Sequence, residues 1–370
     1  MHITIKRNDF HAVLTRASAV APKRPSILIL SHVLLRVSGE NLFVSATDLE
    51  ISIQLPCLLI HCETPGWIAL PAAKLKDLVE MLPDETVELR LLDNFRAEIT
   101  SGEHVSRLAG MDPLGFPSFS PAEEAECSPI HADDLHRIIK AVSHAISSDA
   151  SALHLNGIFF QAESDMLCGI ATDGHRVSMA GKRIDDISDW GRLAGGVIVP
   201  RRGVEEIKRL PSSRIDLYVG KSSLDLLQCD TSLLVRLVDG TYPAWRNYIP
   251  KDYKSFFTVD SGALIDAVNR VSLLSDGGSV RFEAKDETLF LYAESATNEA
   301  IDSISYIPGG NSEEELSFRF NSRYLLDALG SLGGGYVVFK YRDANSPFLL
   351  FPADYGRWDE RMELVLPLRV

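Results

Sequence analysis

Ala171-Thr172-Asp173-Gly174-His175-Arg176 is the densest polar cluster in an otherwise apolar stretch of the chain. Its residue types could support acid–base chemistry, with His175 as the base and Asp173 as the carboxylate that orients it. Such chemistry needs a nucleophile beside the pair, and none is there. The matching segment Ala46-Thr47-Asp48-Leu49-Glu50 carries no histidine. Asp-Gly is a turn signal, so the cluster reads first as a turn that shapes a binding surface and only second as a hydrolase centre. Cys57 and Cys62 flank His61, but a zinc site needs four closely spaced ligands and no second pair follows. Among the ten histidines, His136 and His144 stand two helical turns apart, with no HExxH and no carboxylate-rich box. The nucleophile elbow GxSxG and the phosphate loops GxxxxGK[ST] and GxGxxG are absent as well. Gly333-Gly334-Gly335 falls where a helix should end, a place for a left-handed glycine cap. The expectation is a non-enzyme with no cofactor and no metal.

The elements that must position these residues come three times. Apolar helical patterns start near Phe10, Leu135 and Leu264, about 125 residues apart. In the first, Phe10, Val13, Leu14, Ala17 and Val20 share a face; Leu135, Ile138, Ile139 and Val142 do so in the second, and Leu264, Val268, Val271 and Leu274 in the third. Each is followed by period-two runs around short turns, then a second helix, then a further strand. The helices are predicted over 10–24, 74–82, 133–148, 200–210, 261–275 and 321–331. Strands that arrive as hairpins with short turns point to antiparallel sheet. The fold class expected is therefore α+β, three repeated domains of two helices packed on antiparallel sheets, at 1–125, 126–250 and 251–370. Two Pro- and aromatic-containing stretches, 111–129 and 237–255, read as extended linkers between them.

Composition sets further bounds. The chain is 45% apolar, ordinary for a globular protein, and has no apolar run of membrane-spanning length. Its start, MHITIKRNDF, is charged and strand-like, unlike a signal peptide. Five scattered cysteines in such a chain are expected to be reduced, hence a cytoplasmic protein with no membrane partner. A net charge of −14 argues against nucleic acid until its distribution is read. The six predicted helices carry 13 Lys and Arg against 8 Asp and Glu, leaving 24 against 43 elsewhere. Basic helices and acidic sheets give two electrically different surfaces, and field focusing follows the local sign.

Taken together, ATDGHRV, LNGIFF, VIVPRRGVEEIKRL, LVDGTYPAWRNYIP and the terminal LPLRV resemble the bacterial DNA polymerase III beta subunit family, the sliding clamps, over the whole chain and all three repeats. The resemblance implies a head-to-tail homodimer closing a ring of six domains, helices inside and sheets outside, with double-stranded DNA threaded through and held by topology without base readout. Arg24 would face the DNA, together with Arg16, Lys23, Arg137, Lys140, Arg201, Arg202 and Lys208 by helix position. Ring closure would pair Lys74 and Leu108 of the first domain with Leu273 and Leu274 of the third. A pocket for partner peptides would use Leu155, Thr172, Gly174, His175, Arg176, Val177, Pro243 and Asn247, completed by Asn321, Tyr324, Leu366, Pro367, Leu368 and Arg369. Its partners would be the DNA polymerase III alpha subunit, the clamp loader, and other polymerases and repair proteins that carry a clamp-binding motif.

The chain also departs from that pattern. SSDASALH at 147–154 stands where family members commonly carry an Arg and a Tyr pair, Asn247 where a basic residue is usual. SDGGSV at 275–280 lacks the typical lysines and arginines, and ESATNEAID at 294–302 is less acidic than usual. A clamp-fold paralog that binds partner peptides without encircling DNA is the alternative these departures raise.

Overall fold

The computed structural model describes residues 1–118, 127–163, 165–184, 191–253, 255–310, 316–355 and 360–369. The first repeat runs β1 (His2–Lys6), α1 (Arg7–Val20), β2 (His32–Ser38), β3 (Asn41–Thr47), β4 (Ile51–Thr64), β5 (Trp67–Pro71), α2 (Ala72–Glu80), β6 (Thr86–Leu92), β7 (Arg96–Ser101) and β8 (His104–Ala109). The second runs β9 (Cys127–His131), α3 (Ala132–Val142), β10 (Gly157–Glu163), β11 (Met166–Thr172), β12 (Arg176–Arg183), β13 (Val197–Pro200), α4 (Arg201–Ile207), β14 (Arg214–Val219), β15 (Ser223–Gln228) and β16 (Thr231–Arg236). The third runs β17 (Ser255–Asp260), α5 (Ser261–Ser272), β18 (Ser279–Lys285), β19 (Thr288–Glu294), β20 (Glu299–Ser305), β21 (Ile307–Gly310), β22 (Leu316–Asn321), α6 (Ser322–Leu332), β23 (Tyr336–Tyr341), β24 (Phe348–Pro352) and β25 (Arg361–Val365). One order of elements thus recurs three times, with one extra strand in the third, and the chain is α+β with antiparallel pairing throughout the described ladders. Among the described residues no helix is long and apolar enough to cross a membrane.

The helices form where apolar residues recur on one face and stop where the backbone is blocked. α1 buries Phe10, Leu14 and Ala17. It ends at Val20, because Ala21 is extended at φ −60°, ψ 122° ahead of Pro22, which disfavours helix in the residue before it. Lys23 and Arg24, placed on this helix by the sequence reading, therefore lie beyond it. α3 stops at Val142 and gives way to a 3-10 turn at Ser143–Ala145, where the Ser143 hydroxyl donates to the Ile139 carbonyl at 2.6 Å. α4 stops at Ile207, so Lys208 is its cap. Asp260 Oδ1 caps α5, accepting from the Ala263 N–H at 2.7 Å. Gly333, at φ +90°, closes α6 in the left-handed conformation expected of a glycine there.

Two compact units result, Met1–Ala132 with Arg209–Leu237, and Asp133–Lys208 with Val238–Val370. The split runs through the second repeat for a reason visible in the sheets. Strands β9 and β14 to β16 extend the first repeat's sheet through the β4–β16 pair, while β10 to β13 join the third repeat's sheet through the β12–β25 pair. The stretches read as linkers are not spacers where they are described. Phe116, Tyr242 and Trp245 are all buried, because aromatic side chains gain most from leaving water; residues 119–126 and 254 of these stretches lie outside the described residues.

Within the third repeat, Arg270 Nε donates to Asp302 Oδ2 at 2.7 Å and ties α5 to β20. This hydrogen bond holds the Asp302 carboxyl below its ordinary 3.8. A carboxylate with a depressed folded pKa contributes stability that is present above the unfolded value and lost as pH falls through the folded one. Acid titration below about pH 4 should therefore lower the urea midpoint of the parent more steeply than that of Arg270→Met. Parallel slopes for the two proteins would show that the pair contributes nothing.

Candidate functional site

The Asp173 turn is a hydrogen-bonded device, and its geometry decides between the two readings of the cluster. Asp173 Oδ1 accepts from the backbone N–H groups of His175 and Arg176 at 3.0 and 3.2 Å. Thr172 Oγ1 donates to the Arg176 carbonyl at 2.6 Å and accepts from the Gly174 N–H at 3.1 Å. Gly174 adopts φ +89°, which a side chain would resist. In the first repeat Asp48 and Thr47 hold the same turn, with Asp48 Oδ1 accepting from Glu50 and Ile51 at 2.9 and 2.7 Å; Leu49 takes the glycine's place at φ 76°. Asp173 is thus engaged by the backbone of its own turn. The His175 ring lies against Tyr324, with ring centroids 6.1 Å apart.

Arg176 is 5% exposed. Its Nε donates to Asp173 Oδ2 at 3.0 Å, Nη1 to Asp327 Oδ2 at 2.7 Å and Nη2 to the His144 carbonyl at 2.5 Å. The guanidinium carbon sits 4.4 Å from the Tyr324 ring centroid, a cation–π contact. Each of its three nitrogens donates inside the protein, so Arg176 acts as a strut beneath the surface that fixes Tyr324. Tyr324 stands in the first turn of α6, whose cap is Asn321: Asn321 Oδ1 accepts from the Arg323 and Tyr324 N–H groups at 3.0 and 3.3 Å.

The chain's last described residues dock onto this ground. The Leu366 N–H donates to the His175 carbonyl at 3.1 Å, and the Leu368 N–H to the Arg319 carbonyl at 2.7 Å. Both leucines remain more than a third exposed. Val177, Tyr242, Trp245, Met362 and Leu364 form the apolar floor, with Leu155 packed against them. Pro243 accepts a 2.7 Å hydrogen bond from the Trp245 N–H. Asn247 is exposed on the 3-10 turn Trp245–Tyr248. The basic residue beside it, Arg246, lies over the Trp245 ring, 4.5 Å from its centroid, and donates to Glu163 at 2.8 Å. Pro367 and Arg369 continue the docked tail. One place on this unit therefore brings together an apolar floor, an aromatic pair and a pinned apolar tail.

The other expected sets are placed as follows. Arg137 and Lys140 are exposed on α3, and Arg202 on α4. Arg16 is half-buried on α1, and Arg201 donates to the Ile146 and Ser147 carbonyls at 3.0 and 3.3 Å. Lys208 pairs with Glu205 at 2.8 Å. Lys74 is exposed on α2 and Leu108 half-buried on β8; Leu273 and Leu274 follow α5, 83% and 42% exposed. His61 and Cys62 sit with Cys57 on β4, and burial pushes the Cys57 thiol up to about 12, so it stays protonated. No described cluster of His, Cys, Asp and Glu could hold a metal ion.

Sequence reading missed a buried polar knot under the site. Glu363, 1% exposed, accepts from the Ser178 and Ser331 hydroxyls at 2.7 Å each and lies 3.2 Å from His144 Nε2. Its members are scattered between positions 144 and 363, and no local signal joins them.

Three family models match the chain in order: the DNA polymerase III beta subunit N-terminal domain over residues 1–120, the central domain over 129–244 and the C-terminal domain over 246–366. The chain belongs to the DNA polymerase III beta subunit family. It is 30% identical over 383 residues to the beta sliding clamp of Caulobacter vibrioides and 28% identical over 377 residues to that of Pseudomonas aeruginosa, with the whole of both chains covered in each case. Among solved structures it is similar to the Pseudomonas aeruginosa sliding clamp bound to griselimycin, with a TM-score of 0.92 at 28% identity over the whole of both chains. The Bacillus subtilis sliding clamp also aligns, with a TM-score of 0.92 at 25% identity over all of this chain and 99% of that one. The fold is the three-domain clamp fold, and the protein is a DNA sliding clamp, a non-catalytic factor that confers processivity on a polymerase. In a non-catalytic family the hydrolase reading of Asp173 and His175 falls away.

Proposed function

We propose that two copies of the chain, each with domains at 1–125, 126–250 and 251–370, close head to tail around duplex DNA. Strand pairing carries this reading. The last strand of the second repeat pairs with the first repeat (β16 with β4), and the last strand of the third pairs with the second (β25 with β12). By the same rule the last strand of the first repeat, β8, needs the equivalent strand of a third repeat, β20. Both stand at the ends of their sheets. Exposed edges of this length invite a partner.

The repeats also supply a register. Ser52, Val177 and Glu299 are equivalent, facing Thr47, Thr172 and Glu294 across the same hairpin. Leu234, Leu364 and Arg107 are equivalent on the other side, facing Asp225, Leu349 and Glu98. Since Ser52 faces Leu234 and Val177 faces Leu364, Glu299 of one copy should face Arg107 of the other, and Ile301 should face Val105. Opposite charges meet, and so do two apolar side chains that are 64% and 53% exposed in the single chain. A one-residue slip would turn each strand's outward set inward. Lys74, Leu108, Leu273 and Leu274 flank this seam.

In the ring the six helices of each copy would line the hole, so that the cations on them and at their ends, Lys23, Arg24, Lys208 and Arg209 included, face phosphate while the acidic sheets face solvent. Attraction that is local and not base-specific suits sliding. The docked-tail surface takes the short clamp-binding motif of the DNA polymerase III alpha subunit, the clamp loader, and other polymerases and repair proteins, apolar side chains on the floor and backbone against the polar rim. The protein would act in the cytoplasm.

Topological retention tests the proposal. The clamp is loaded on a nicked circular plasmid with clamp loader and ATP, free protein is removed and half the sample is linearised. Retention on circles with release from linear DNA is expected. Loss from both, while a standard clamp run in parallel is kept, would sink the ring and favour a paralog that binds peptides only.

A further inference from the structure

A recess of about 720 Å³ opens between α3 and α6, with Arg137, Lys140, Lys182, Asp327, Glu360 and Arg361 in its wall. Its acids are partly offset from outside, each by an arginine shared with a second carboxylate, Arg176 with Asp173 and Arg183 with Asp165. Asp327 is held by Arg176 at 2.7 Å, and Glu360 lies 3.6 Å from Arg183, neither arginine being part of the lining. Arg361 is spent on the Ala141 and Ser331 carbonyls, at 3.0 and 2.8 Å. Among the described residues no carboxylate lies within ion-pair reach of Arg137, Lys140 or Lys182. Arg137, Lys140, Lys182 and Arg361 against Asp327 and Glu360 leave the lining with a net positive charge, and concave walls of low dielectric concentrate such a field. Arg137 and Lys140 are one turn apart on one face of α3, and Lys182 joins them from β12.

We propose that this recess seats a backbone phosphate of the encircled duplex, with Lys182 completing the set that Arg137 and Lys140 begin. The inference rests on the ring reading above and ranks residues that helix position alone leaves equal. Lys208 is neutralised by Glu205, Arg201 spends donors on backbone carbonyls, and Lys182, on a strand, enters. Lysine suits the task because an ammonium attracts a phosphate as a point charge without reading sequence.

The test measures binding of the full-length clamp to a short linear duplex, which a ring can thread from its ends, by fluorescence anisotropy between 50 and 200 mM salt. The double variant Lys140→Gln/Lys182→Gln should bind roughly tenfold more weakly at low salt. Its plot of log affinity against log salt should be shallower by about one unit, the slope of one lost phosphate contact. Lys208→Gln should change neither quantity. A double variant with the parent's slope, or Lys208→Gln with an equal effect, overturns the seat. So does binding of inorganic tripolyphosphate that depends on Lys140 and Lys182 while the DNA slope stays unchanged. Retention on circular plasmid, measured on the same proteins, separates the two claims: failure of the parent there sinks the ring, whereas an unchanged slope with normal retention sinks only the seat.

Discussion

Arg176→Ala is expected to lower stability by about 3 kcal/mol and to abolish capture of a clamp-binding peptide. The magnitude follows from burial. The guanidinium is 5% exposed and satisfies two carboxylates and a carbonyl. Removing one partner of a fully buried pair costs about 3–5 kcal/mol, and the lower end applies because Asp327 is a third exposed. Binding should fail for a geometric reason, since Tyr324 loses the cation that fixes its ring and the Asp173 turn loses its anchor. Arg176→Lys should not rescue either property, because one ammonium cannot span the fork of contacts that the planar group makes. Urea unfolding and fluorescence polarisation with a motif peptide read the two effects. His175→Ala separates them: it should weaken the peptide by an order of magnitude with little change in the urea midpoint. If Arg176→Ala binds peptide normally, the surface described here is not the docking site.

Ile301→Asp should convert the dimer to monomers at micromolar concentration and shorten retention on circular DNA at least a hundredfold. Each ring has two seams, and the substitution places an unpaired carboxylate opposite Val105 in both. At roughly 2 kcal/mol per seam, the dimer loses about 4 kcal/mol, near a thousandfold in dissociation constant. Adding Val105→Lys should restore much of the loss, because the lysine of one copy then faces the aspartate of the other. Sedimentation equilibrium on the parent, the single variant and the pair reads this directly. Failure of Val105→Lys to rescue, with Ile301→Asp monomeric, would mean that β8 and β20 meet in another register. An unaffected dimer would mean that they do not meet at all.

These two variants also divide what could be read early from what could not. The repeat was legible because helix and strand periods are local properties, and a threefold recurrence of the same order makes each copy support the others. The turn at Asp173 was legible for the same reason: an Asx residue bonds its own backbone two and three residues on. Helix ends were less so. Pro22 marks the end of α1 in the sequence, yet the helix expected over 10–24 runs past it; the extended backbone at Ala21 moves Lys23 and Arg24 off the helix.

By itself the sequence determined the fold class, the number of repeats and the absence of a catalytic motif; the excess of charge it assigned to the helices shrinks to 10 Lys and Arg against 9 Asp and Glu once Lys23, Arg24, Lys208 and Arg209 fall beyond the helix ends. Tertiary structure alone decided what Arg176 does, because its partners His144 and Asp327 lie 32 and 151 positions away and a guanidinium's role is set by what surrounds it. The structure alone also gathered Arg137, Lys140 and Lys182 in one recess, with no ion pair among the described residues, while Lys208 is paired. Side-chain type fixes the sign of a charge, but whether that charge is spent inside the protein depends on neighbours that only folding brings within reach.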